Sequence, residues 1–156
     1  QMRVIEEAHR RGGEVLASAH TLTRMTPEGA LAVGRLAEER GADALKIVSF
    51  CADYEDVLGC LAANVLLGRE LRIPYVMMAM GEYGKLVRPL APLFGSMLVF
   101  ARQDYAPGSF LDQPPIRAMR ALFGSVDFRI SRRAESFLPP EMLGGVERRV
   151  LVTSEA

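Results

Sequence analysis

Short apolar runs of strand length alternate with helical segments along most of this chain, and that alternation restricts its fold more than any other feature. The apolar runs cover residues 14–19, 43–50, 74–80 and 95–101, and the helical segments cover 2–11, 26–40, 53–68, 87–94 and 113–123. Near-continuous apolar strands are typical of a sheet that is covered on both faces. Strand and helix in turn at this spacing predict βα units around a parallel sheet.

Local signals mark the ends of these segments. Thr26 and Pro27 predict a helix start, because a threonine side chain caps free amide groups and proline is favoured in the first helical turn. Gly12 and Gly41 follow helical segments and are expected to end them. The boundaries therefore agree with the hydrophobic pattern.

Four strands with four or five helices correspond to half of a (β/α)8 barrel, a fold that takes about 250 residues. We therefore predict an α/β fold of the TIM-barrel type, with residues 1–125 forming four βα units and residues 126–156 forming an irregular tail. A small open α/β sheet is the alternative architecture. The sequence has no GxGxxG fingerprint and no P-loop, which argues against nucleotide binding.

The charge balance and the cysteines exclude several classes of protein. Nineteen basic and 19 acidic residues cancel, so the chain has no basic field for nucleic acid or anionic membranes. No apolar run reaches the roughly 18 residues of a membrane-spanning helix. Cys51 and Cys60 form no metal or disulfide motif, and we interpret both as small core residues. We expect a soluble cytoplasmic protein without a metal, and Gln1, in mid-pattern for a helix, favours further residues upstream.

Candidate catalytic residues come from the strand ends, where βα folds place their active sites. Lys46 is unusual because it lies inside an apolar strand, where lysine is rare without a partner. An amine in apolar surroundings is held in its neutral form, which is the form that attacks a carbonyl to make a Schiff base. His20 ends the first strand on the same face as Ser18, and Arg88 follows the third strand.

These three side chains together favour a pocket for an anionic carbonyl compound, with Lys46 as nucleophile, His20 as proton shuttle and Arg88 as carboxylate clamp. Structural interpretations stay open for each residue. A strand lysine also reaches a sheet edge or pairs with a carboxylate, and most strand-end histidines are structural. His9, beside Arg10 and Arg11, is interpreted as solvated surface.

Five segments resemble consecutive motifs of one enzyme family. They are SAH at 18–20, ALKIV at 44–48, MGEYGKLVR at 80–88, FGS at 94–96 followed by FA at 100–101, and YAPGS at 105–109. In this order along the βα units, they resemble the motifs of type I 3-dehydroquinate dehydratase, the Schiff-base enzyme of the shikimate pathway. The resemblance covers residues 2–125.

The resemblance implies the second half of a (β/α)8 barrel and a dehydration that needs no metal or coenzyme. It implies that Lys46 forms an imine with the C3 ketone of 3-dehydroquinate, and that His20 removes the C2 proton and then protonates the departing C1 hydroxyl. Arg88 is expected to bind the substrate carboxylate. Further substrate contacts are expected from Met80, Phe100, Tyr105 and Ser109.

Three positions depart from the family motifs. Val87 and Tyr105 stand where the family has serine, and Ser109 stands where it has glutamine. These changes leave open a non-catalytic relative that binds a metabolite, or a Schiff-base lyase or aldolase that acts on another keto acid. Half a barrel leaves sheet edges unpaired, so the resemblance also implies a homodimer or a missing N-terminal half.

Overall fold

The computed structural model describes residues 2–103 and 113–125. Its helices and strands alternate along the chain. The helices are α1 (Met2–Arg10), α2 (Pro27–Glu39), α3 (Tyr54–Glu70), α4 (Gly84–Leu90) and α5 (Ile116–Ser125), with a 3-10 turn at Ala91–Phe94, and the strands are β1 (Leu16–His20), β2 (Ala44–Phe50) and β3 (Tyr75–Met80). The predicted βα alternation is therefore confirmed through β3 and α4.

The three strands form one parallel sheet in the order β1-β2-β3. Ser18 of β1 pairs with Lys46 of β2. Two residues further along the same strands, His20 pairs with Val48. Lys46 in turn pairs with Val76 of β3. Paired residues of a parallel sheet point to the same face, so the register fixes which side chains meet.

The predicted start of α2 is confirmed. The Thr26 hydroxyl accepts the amide N–H of Gly29 at 3.1 Å, and Pro27 occupies the first turn. Asp53 caps α3 in the same way by accepting the N–H of Asp56 at 2.8 Å. Such caps satisfy amide groups that the helix leaves without carbonyl partners.

The sheet separates two groups of side chains. The helix face packs against α2, α3 and α4, and its strand residues are Leu45, Ile47, Tyr75, Met77 and Ala79. The opposite face, here called the lysine face, carries Ser18, His20, Lys46, Val48, Val76, Met78 and Met80. On β1 the alternation is visible in the burial, because Ala17 packs against the helix-side core while Ser18 and His20 are exposed.

The prediction of a fourth strand at 95–101 is wrong, because these residues form no strand. One main-chain bond joins the segment to β3, from the N–H of Met97 to the carbonyl of Tyr75 at 2.8 Å. Two residues further along β3, the Ser96 hydroxyl accepts the N–H of Met77 at 3.2 Å. A side chain therefore stands where a neighbouring strand would offer a main-chain carbonyl. The described residues therefore contain three strands, and the half-barrel of four units is not confirmed.

Three of the sequence predictions lie outside the described residues. They concern Tyr105, Ser109 and the tail at 126–156. None of the described helices is both long and apolar enough to cross a membrane.

Candidate active site

Lys46 lies in the middle of β2 on the lysine face and is half-buried. Its Nζ atom is 4.4 Å from the centroid of the Phe100 ring. A cation over an aromatic face is attracted by the negative charge density of the ring, which adds about 0.5–2 kcal/mol depending on solvent access. The structure therefore brings together two predicted site residues that are distant in sequence.

His20, the last residue of β1, shares this face with Lys46. It pairs with Val48, two residues beyond Lys46 on the neighbouring strand. Strand spacing and rise place the Cα atoms of His20 and Lys46 about 8 Å apart. His20 is exposed, so its imidazole is accessible to a ligand that lies over the sheet.

Arg88 comes from α4 and is 4% exposed. Its Nη1 donates to the Sδ atom of Met78 at 3.5 Å, and Met78 belongs to the lysine face. A thioether is a weak acceptor, so the contact orients the guanidinium without neutralising it. The helix that carries Arg88 approaches β3 closely, because a Cβ atom added to Gly84 would lie 2.8 Å from the carbonyl carbon of Ala79.

Met80 and Phe100 pack against the apolar cluster of the lysine face, formed by Val48, Val76 and Met78. The structure thus places five of the seven predicted site residues, and it gathers Lys46, Phe100 and Met80 around one apolar floor. Arg88 reaches this floor through Met78. The sequence analysis did not name Met78 as a site residue, although the alternation along β3 places it on the same face as Met80.

Val87, one of the three departures from the family motifs, lies away from the lysine face. It is fully buried and belongs to the helix-side core with Ala79 and Ala91. A valine at this position therefore fits the apolar core.

The two cysteines are core residues, as the sequence indicates. Cys51 and Cys60 are each 1% exposed. Burial raises the pKa of Cys51 to about 11 and the pKa of Cys60 to about 12. Both thiols are therefore protonated at neutral pH and lack the thiolate that a nucleophile or metal ligand requires. Within residues 2–103 and 113–125, no group of three His, Cys, Asp or Glu side chains is arranged to hold a metal ion.

His9 was interpreted from the sequence as solvated surface, but its side chain contacts the carboxylate of Asp43. Its Nε2 lies 2.8 Å from Oδ2 of Asp43, and the same oxygen accepts the N–H of Val15 at 2.7 Å. The hydrogen bond from His9 is the main cause that holds the pKa of Asp43 below its ordinary value. This contact lies before β1 and β2 begin, at the opposite end of the strands from His20.

Comparison with known proteins matches most of the chain to one family. The model of the type I 3-dehydroquinase family matches residues 1–127. The 3-dehydroquinate dehydratase of Aromatoleum aromaticum is 35% identical over 112 residues, which are 70% of this chain and 42% of the relative. That of Geobacillus kaustophilus is 42% identical over 97 residues, which are 61% of this chain and 36% of the relative.

Solved structures agree with the sequence matches. The crystal structure of the Geobacillus kaustophilus enzyme superposes with a TM-score of 0.70 at 35% identity, over 80% of this chain and 48% of that chain. The type I enzyme of Clostridium difficile gives a TM-score of 0.71 at 24% identity, over 80% and 51% of the two chains, and supports the fold alone. The chain spans about two fifths of the length of the curated relatives described above.

Proposed function

This chain belongs to the type I 3-dehydroquinase family, and we propose that it carries the amine and the general base of a 3-dehydroquinate dehydratase. The observation that carries the proposal is the position of Lys46. Its amine lies beside the Phe100 ring, on the sheet face that also carries His20. The proposed reaction is a hydro-lyase step of the shikimate pathway, in a protein that we also propose to be cytoplasmic.

Lys46 acts first. Its neutral amine attacks the C3 ketone of 3-dehydroquinate, and loss of water from the carbinolamine gives an imine. The protonated imine withdraws electrons from C2 and so acidifies the C2 proton. The Phe100 ring suits this step because it holds the lysine side chain over the sheet face, and it attracts the iminium cation once the neutral amine has attacked.

His20 moves the protons. Its imidazole takes the C2 proton and then donates it to the C1 hydroxyl, which leaves as water and gives the conjugated product. Histidine suits both directions because its neutral and charged forms interconvert near neutral pH. Hydrolysis of the imine, with His20 assisting the attacking water, releases 3-dehydroshikimate and restores the free amine of Lys46.

The remaining site residues hold the substrate. Arg88 pairs with the substrate carboxylate, for which its planar guanidinium has matching geometry. Met80 and Phe100 form the apolar wall. By the family resemblance, Tyr105 and Ser109, which lie outside the described residues, also contact the substrate. Their departures from the family motif leave a related keto acid as a second candidate substrate.

A complete barrel would need further βα units, since the chain spans about half of each solved relative. Within residues 2–103 and 113–125, the outer edge of β1 pairs with no other strand, and the exposed His20 lies on β1. Further βα units, on the same polypeptide or on a second chain, would pair with this edge and close the pocket over the lysine face.

The test compares turnover of 3-dehydroquinate by the full-length gene product and by its Lys46→Met variant. We expect the parent to produce the enone absorbance of 3-dehydroshikimate and the variant to lose at least about a thousandfold in kcat, because covalent catalysis is removed. Lys85→Met is the control, since Lys85 is an exposed lysine that pairs with Glu82 at 2.6 Å. Equal rates for parent and Lys46→Met would refute the proposal, and binding without turnover in the parent would support the metabolite-binding alternative.

A further inference from the structure

Arg102 follows the apolar segment that packs over the lysine face. Leu98 and Phe100 contact the apolar cluster of that face. Val99 and Ala101 pack on the other side of the segment, in a cluster that includes helix α5. Side chains of an extended segment point alternately to its two sides. The alternation therefore places Arg102 on the same side as Phe100, toward the lysine face.

The main chain of Arg102 is fixed by the start of α5. Its N–H donates to the carbonyl of Pro114 at 3.0 Å, and its carbonyl accepts the N–H of Ile116 at 2.9 Å. Two extended residues advance by at most about 7 Å, so the Cα atom of Arg102 lies within that distance of the Cα atom of Phe100. Arg102 is thus held close to the ring that contacts the amine of Lys46.

The guanidinium of Arg102 lacks the partners that a structural arginine has. The residue is half-buried and its Nε atom is fully buried, yet Nε donates no hydrogen bond within residues 2–103 and 113–125. None of the ion pairs found among these described residues involves Arg102. A buried donor without an acceptor is unfavourable, so this group calls for an acceptor that a ligand supplies.

The charges around Lys46 favour a negatively charged ligand. Arg88 and Arg102 add two permanent positive charges to this region, because a guanidinium is not deprotonated in proteins. The strand residues that the structure describes on the lysine face include no Asp or Glu. Charges that water reaches poorly interact strongly, so an anion is attracted to this face.

The two arginines reach the lysine face from the same side. The sheet order is β1-β2-β3, with His20 on β1 and Lys46 on β2. Arg88 contacts Met78 of β3, and the segment that leads to Arg102 begins with a main-chain bond to β3. A ligand over Lys46 therefore has its anionic group toward β3 and the proton that it loses toward His20.

We propose that Arg102 is a specificity-determining residue, which binds the anionic group of the substrate together with Arg88. The inference rests on the proposed function, because it concerns the ligand whose ketone reacts with Lys46. An ionised carboxylate has two oxygens with about four acceptor positions, so it accommodates both guanidinium groups. The contact is the same before and during the reaction, and it therefore raises affinity without raising kcat.

The first test measures steady-state dehydration of 3-dehydroquinate by the full-length protein and by its Arg102→Met variant. Methionine keeps an apolar stem and removes the charge. We expect KM to rise about ten- to a hundredfold, with kcat within about threefold of the parent. Arg120→Met is the control, since Arg120 is exposed on α5. An unchanged KM in Arg102→Met, or an equal rise in the control, would overturn the inference.

A neutral analogue separates recognition of charge from a structural role. The carboxamide of 3-dehydroquinate keeps the ketone and lacks the anionic group. The concentration that gives half-maximal trapping of the Lys46 imine by borohydride measures binding of either ligand. Arg102→Met should raise this concentration at least about tenfold for the acid and change it less than about threefold for the carboxamide. Equal shifts for the two ligands would assign Arg102 a structural role and refute the inference.

Two further substitutions complete the comparison. Arg102→Lys keeps the charge and loses the planar fork, so it should weaken binding of the acid less than Arg102→Met does. Should methionine prevent folding, Arg102→Gln removes the same charge and keeps a polar side chain at this half-buried position. If a folded parent forms no adduct on Lys46, the proposed function fails and the role of Arg102 fails with it. If parent and neutral variants form the adduct at the same concentration of acid, only the role of Arg102 fails.

Discussion

The Nζ atom of Lys46 lies 4.4 Å from the centroid of the Phe100 ring, although the two residues are 54 positions apart in the sequence. Lys46 is fixed by the ladder of β2, whereas Phe100 lies in a segment that forms no strand. The position of the ring therefore depends on packing against Val48, Val76 and Met78. This contact restricts the lysine side chain to the apolar floor of the lysine face.

Phe100→Ala should slow imine formation while leaving Lys46 in place. Loss of the ring frees the lysine side chain, and ordering it again for attack costs about 0.5–1.5 kcal/mol, which corresponds to a roughly two- to twelvefold slower rate of trapping by borohydride. Phe94→Ala is the matched control, since Phe94 is 38% exposed and precedes the segment. An unchanged trapping rate in Phe100→Ala would show that the ring does not assist the amine.

His20→Asn should separate imine formation from dehydration. The amide keeps the size and polarity of the ring but cannot exchange a proton near neutral pH, so kcat should fall by about 10²–10⁴. The imine on Lys46 should still be trapped by borohydride and detected by mass spectrometry. Wild-type turnover in this variant would remove His20 from the mechanism.

Gly84→Ala should destabilise the protein and weaken substrate binding. Its Cβ would lie 2.8 Å from the carbonyl carbon of Ala79, so α4 must shift away from β3 and move Arg88 with it. We expect a loss of about 1–3 kcal/mol in the free energy of unfolding, together with a higher KM.

Gly59→Ala provides the opposite case within a helix. Nothing lies within 4 Å of the added Cβ, so the variant should gain about 0.5–1 kcal/mol from the lower flexibility of the unfolded chain. Denaturant unfolding of both variants measures the free energy of unfolding, which should fall in Gly84→Ala and rise in Gly59→Ala. A stabilised Gly84→Ala protein would contradict the close approach of α4 to β3.

The contact between His9 and Asp43 should make the stability of the folded protein decrease in acid. The pKa of Asp43 is lower in the folded protein than its ordinary value of 3.8, so its contribution is complete above that value and is lost as the pH falls through the folded value. Parent and Asp43→Asn should therefore differ in unfolding midpoint at pH 6, and the difference should shrink as the pH falls below 3.8. A constant difference over this range would exclude the ionised carboxylate as the cause.

The parts of the fold that depend on neighbouring residues could be predicted from sequence. Thr26 and Asp53 cap helices with atoms that lie within one turn. The two-residue period of strands similarly places Ser18 and His20 together on one face. These features need no knowledge of distant partners.

Contacts between distant segments could not be predicted in this way. Ser96 satisfies the N–H of Met77 with its side chain, and the segment after it forms no ladder with β3 despite its apolar composition. The contact of Arg88 with Met78 depends on how closely Gly84 lets α4 approach. The pairing of His9 with Asp43 likewise depends on how α1 docks.

The most direct test of the central claim is to incubate the full-length protein with 3-dehydroquinate and borohydride and to map the product by mass spectrometry. We predict a single reduced adduct on Lys46, absent from Lys46→Met and retained in Lys85→Met. An adduct on another lysine, or no adduct in a folded protein that turns over the substrate, would contradict the assignment of Lys46 as the Schiff-base residue.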